Sequence, residues 1–98
     1  MTRFAALVPA LILATPLAAQ DKESICSASA GIVDAAVEAR SDGIGEKKAI
    51  QTIGTGLEGD AAIYKAAVQP IVNWVYGLEE EQLSDEVGAT YKKACLAQ

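Results

Sequence analysis

Two cysteines, Cys26 and Cys95, stand near opposite ends of the chain and constrain its fold more than any other feature. In a small exported protein an even cysteine count reads as a disulfide, and two cysteines allow one intramolecular pairing. Such a bridge sets the first and last elements of the fold side by side. It closes a loop over nearly the whole domain, for which chain entropy gives about 4 kcal/mol. A hydrophobic core of this size supplies only about 3–5 kcal/mol. Two alternatives to a structural staple remain. A redox pair fits less well, because catalytic cysteines usually stand close together as Cys-x-x-Cys. An intermolecular bridge is the other.

Export is read from the N-terminus. Arg3 supplies a positive start, Phe4 to Leu17 is apolar around Pro9 and Pro16, and small residues follow at Ala18 and Ala19. Gln20, Asp21, Lys22 and Glu23 then turn the chain polar. Charge, apolar core and small-residue site in that order describe a secretory signal peptide, Met1–Ala19. A transmembrane anchor needs about 20 apolar residues, and this run is shorter and broken by prolines. Cys26 follows Glu23-Ser24-Ile25, which is not a lipid-attachment box. Removing 19 of the 98 residues leaves 79, residues 20–98, which read as a single helical domain. The leader holds one of the eight basic residues and none of the thirteen acidic ones, so the remainder carries a net charge of −6. The expected location is periplasmic or secreted, with no stable membrane insertion after cleavage.

No segment alternates apolar and polar residues with period two, while apolar residues recur at three and four. The expected class is all-α: a small bundle of four short helices, or five if Pro70 splits the third. The first helix is expected over Lys22–Arg40, with Ile25, Ser29, Ile32, Val33, Ala36 and Val37 on its apolar side and Cys26 and Ala30 beside them. Arg40 suits the negative end of the helix dipole, and Gly43 is a natural stop. A second helix opens at Glu46 and ends near Gly56, weakened by Gly54 and Gly56. Asp60 caps a third over about Ala61–Tyr76, bent near Val68-Gln69 by Pro70. Its apolar face is expected at Ile63, Ala67, Ile71, Trp74, Val75 and Leu78. After the acidic turn Glu79–Gln82, Ser84 caps a fourth helix in which Val87, Tyr91, Ala94 and Cys95 share a face.

Composition excludes several chemistries. The chain has no histidine, which removes imidazole catalysis and histidine metal ligation, and Cys-x-x-Cys-His haem attachment is absent. The acidic balance argues against nucleic acid, whose phosphates are bound by Lys and Arg. Glu79-Glu80-Glu81 reads as a solvated face, since adjacent carboxylates on a turn point apart, and it lacks the alternating ligands of a calcium loop. No catalytic residue, cofactor or metal site is expected.

The cysteine early in the first helix, the run Ala39-Arg40-x-x-Gly43 that ends it, the Val75-Tyr76 pair before an acidic turn and the cysteine of the last helix resemble a loosely defined group of small exported helical proteins of proteobacteria with no established activity. In architecture alone the chain is also similar to the HdeA-type acid-stress periplasmic chaperones, with no motif aligned and no functional residue carried over. Two roles follow as expectations: a non-enzymatic module that binds another protein, or an HdeA-like chaperone that unfolds and binds clients at low pH.

Two further positions carry expectations. Arg40 is either an anion site beside Gly43 or a dipole partner with a carboxylate neighbour, the reading preferred here. Val72 and Tyr76, four apart on the third helix, are neighbours that fall off its expected apolar face. Three readings stay open: Pro70 resets the phase and both are core, the helix is covered on two sides, or the pair is an exposed partner-binding patch with the tyrosine as anchor.

Overall fold

Helix α1 (Leu7–Ser41) is the element on which the others assemble. The structure, a computed structural model, describes the backbone over residues 7–98 and side chains from Asp21 onward; the expected leader, residues 1–19, lies outside the described side chains. Helix α2 (Glu46–Gly56), a 3-10 segment (Gly59–Tyr64), helix α3 (Lys65–Tyr76), a 3-10 turn (Glu80–Gln82) and helix α4 (Val87–Leu96) follow. Among the described residues there is no strand. Helices α3 and α4 pack against α1, and α2 packs against α3 and α1. The fold is the expected all-α bundle.

From α1 the core takes Ile32, Val33, Ala36, Val37 and Ala39, from α2 Ala49, and from α3 Val68, Ile71, Val72 and Val75. Val33, Val72 and Val75 are fully enclosed, and burying such a side chain is worth about 1.5–3 kcal/mol. Ile25, expected on the apolar side of α1, is 52% exposed. At this level the inward position belongs to Cys26, which is 1% exposed.

α1 ends as Gly43 foretells. Gly43 adopts φ +81°, its N–H donates to the Arg40 carbonyl at 3.1 Å, and the Ile44 N–H donates to the Ala39 carbonyl at 3.0 Å. These are the two bonds of a Schellman stop, whose left-handed residue glycine adopts without a Cβ penalty. Helix α2 keeps its expected limits.

The third helix departs from expectation. Residues 59–64 wind as a 3-10 helix and the α-helix starts only at Lys65, so Asp60 caps nothing. The α-helix then runs unbroken through Pro70, which is exposed. The change of winding lies at Tyr64-Lys65 and not at Val68-Gln69. A 3-10 helix has 3.0 residues per turn instead of 3.6, so a phase drawn on one straight α-helix misplaces what precedes Lys65. Ile63 is accordingly 76% exposed. The buried stripe is Val68, Ile71, Val72 and Val75, at i, i+3, i+4 and i+7. Trp74 falls outside it.

Helix α4 is held differently from the rest. It contributes one buried residue, Gly88. A Cβ on Gly88 would lie 1.9 Å from the Asp34 carboxylate oxygen of α1, so glycine is what permits this approach. Val87 and Tyr91 pack partly buried against the core, and the remaining fastenings are covalent and polar. Cys26 and Cys95 form the disulfide, with Cα atoms 5.7 Å apart. Lys92 pairs with Glu23 at 2.9 Å, and the Lys22 ammonium donates to the Gln98 carbonyl. Lys92 lowers the Glu23 pKa, through its hydrogen bond first and its charge second. Ser84 does turn the chain into α4, accepting the Glu86 N–H at 3.2 Å, but the helix itself begins at Val87.

Candidate functional site: a cleft between α3 and α4

Of the three readings of Val72 and Tyr76, the exposed partner-binding patch is not the one found. Val72 is 0% exposed, enclosed because α3 is covered by α1 on one side and α2 on another. Tyr76 is half-buried, and its phenol donates to the Ile44 carbonyl at 2.6 Å. The second of the three readings therefore describes the pair. Burial raises the Tyr76 pKa, the charge of Glu46 adds to the rise and Arg40 opposes it.

Tyr76→Phe is expected to cost about 1 kcal/mol at neutral pH, the worth of a typical hydrogen bond. A phenol raised in the folded state contributes stability that is full below its ordinary value of 10.0. That contribution is lost as pH rises through the folded value. Urea unfolding at stepped alkaline pH should therefore show wild type losing stability above about pH 10, with part of that loss absent from the phenylalanine variant.

Arg40 also finds a partner that the sequence does not name. Its Nη1 donates to the Val75 carbonyl at 2.8 Å and the Leu78 carbonyl at 2.6 Å. No carboxylate lies within ion-pair distance among the described residues; the negative end it neutralises is that of α3 and not of its own helix. The two short motifs thus form one junction. The turn after Ala39-Arg40 receives the C-terminus of α3, the arginine gripping its end and Tyr76 closing back onto Ile44.

That junction orients the last turn of α3, and with it Trp74. The indole is 46% exposed. Its ring centroid lies 5.9 Å from that of Tyr91 on α4, at an interplanar angle of 48°. Helices α3 and α4 both rest on α1, and between them opens a cleft of about 400 Å³. Trp74 and Leu78 form one wall; Val87, Thr90, Tyr91 and Ala94, one stripe of α4, form the other. Gln82, Ser84 and Glu86 line the end where the acidic segment crosses from one helix to the other.

The helical spacing places Trp74 on the apolar face of the third helix and gives no sign of this cleft. The missing signal was the better i, i+3, i+4, i+7 match of the four β-branched residues Val68, Ile71, Val72 and Val75, which leaves the only tryptophan outside the buried stripe.

Glu79, Glu80 and Glu81 are exposed on and beside the 3-10 turn. Among the described residues no three cysteine or carboxylate side chains are grouped so as to hold a metal ion, and no helix is long and apolar enough to cross a membrane.

Comparison with family models, with curated proteins and with solved structures finds no match for this chain.

Proposed function

We propose that this is a small exported, non-enzymatic interaction module, periplasmic or secreted, that holds an apolar segment of another protein in the cleft between α3 and α4. The observation that carries this reading is the exposed Trp74 against Tyr91, in an open groove on a frame stapled by Cys26–Cys95. Tryptophan and tyrosine are the residues most enriched at the anchoring centres of interfaces. Large apolar side chains grouped in one concave place mark binding surfaces more often than scattered ones do. The pair lies at the meeting of two helices fixed independently on α1, which suits a preformed groove.

The test compares the exported protein with its Trp74→Ala variant as immobilised bait, at neutral and at acidic pH. A discrete partner held at pH 7 and lost with Trp74→Ala is the expected result. Since the indole is half in solvent, the variant should fold, with a melting temperature lowered by less than about 8 °C. A partner held equally by both baits overturns the reading. Many clients bound only in acid would replace it with the HdeA-like role.

A further inference from the structure

We infer that the segment received by the cleft is basic and amphipathic, presenting apolar side chains flanked by lysine or arginine. This rests on the reading of the cleft as a protein-binding groove and adds the chemistry of its occupant.

The argument is one of charge beside apolar surface. From Leu78 through Tyr91, the stretch that joins the two walls, the chain carries Glu79, Glu80, Glu81, Asp85 and Glu86 and no basic residue. All five carboxylates are exposed, and among the described residues none has a cation within ion-pair distance. Glu86 lines the cleft itself. The lysines of α4 do not offset them: Lys92 is turned to Glu23 on α1, and Lys93 falls off the stripe formed by Val87, Thr90, Tyr91 and Ala94. Asp85 and Glu80 line neighbouring hollows, so the cleft has one lining carboxylate and an acidic segment joining its walls, which together form its acidic rim. Apolar walls beside that charge suit one kind of partner. Apolar side chains enter the groove, and cationic ones reach the rim or lie over the rings of Trp74 and Tyr91, where a guanidinium is attracted by the aromatic face. An unbalanced acidic rim also speeds encounter with cationic segments and repels acidic ones. The same charge opposes a second copy of this acidic chain, nucleic acid and anionic lipid.

The sole tryptophan makes the cleft its own reporter. The intact exported protein is titrated with three tryptophan-free helical peptides that share one leucine face and carry lysine, glutamine or glutamate on the other. The lysine peptide should shift Trp74 emission to the blue and bind about tenfold more tightly than the glutamine peptide, with the advantage shrinking as salt screens the rim. The glutamate peptide should not bind. Glu86→Lys should weaken the lysine peptide several-fold more than it weakens the glutamine peptide. Equal binding of the lysine and glutamine peptides overturns the inference and leaves the groove reading standing. If no peptide moves the emission, both fall. An emission shift that depends on protein concentration without peptide would overturn the inference in favour of self-association.

Discussion

Replacing Cys26 or Cys95 by serine is expected to lower the melting temperature by roughly 20 °C. The bridge spans 69 residues, and a loop of that length removes about 4 kcal/mol of denatured-state entropy. In a domain of this size each kcal/mol moves the midpoint by about 4–8 °C. Either single variant removes the same constraint, so the two should melt alike and the double variant no lower, a failure of additivity expected for partners in one interaction. The structure adds where the loss appears first. Helix α4 puts no fully buried side chain into the core; Val87 and Tyr91 pack against it only partly buried, and the bridge, the Lys92–Glu23 pair and the Lys22–Gln98 contact supply the rest of its attachment. The ion pair is exposed, and exposed pairs contribute little. Amide exchange in the serine variants should therefore lose protection throughout α4 before α1 or α3. Calorimetry and exchange together check this; loss of protection shared equally by all helices would show that α4 is carried by packing after all.

That distribution explains what could be read from the chain before its structure. Helical periodicity and the two cysteines define the class, the staple and the pairing of first and last helices, because apolar spacing and a covalent link act without reference to distant neighbours. Gly43 and Gly56 mark helix ends correctly, since a left-handed stop and weak helix formers are local properties. The phase of the third helix was not legible. It depends on residues 59–64 adopting 3-10 winding, which rotates Ile63 out of any α-helical face, and on α2 and α1 together covering Val68, Ile71, Val72 and Val75. The cleft inherits that difficulty. Trp74 and Tyr91 are 17 positions apart, counting along the sequence, and meet only because α3 and α4 each dock on α1. Arg40 shows the same limit: its place in a last turn announces a helix C-terminus, but only the tertiary arrangement says that the terminus belongs to α3.

Arg40→Met is expected to cost about 2 kcal/mol, since hydrogen bonds from a charged donor are worth more than neutral ones. The midpoint should fall by roughly 10 °C. The variant keeps most of the apolar stem while leaving the Val75 and Leu78 carbonyls, now bonded at 2.8 and 2.6 Å, without their shared cation. Arg40→Lys should recover part of the loss, because an ammonium still answers the helix dipole but reaches less far and is a point charge instead of a planar fork. Leu78 belongs to the cleft wall and Arg40 does not. Loosening the end of α3 should therefore move Trp74 emission in the free protein and weaken the lysine peptide in step with stability across the methionine, lysine and wild-type series. A series in which binding collapses while melting stays unchanged would mean that Arg40 touches the ligand. The structural reading of Arg40 would then fall. Proportional change places the arginine where the geometry has it, as the clamp that lets two separately docked helices share one groove.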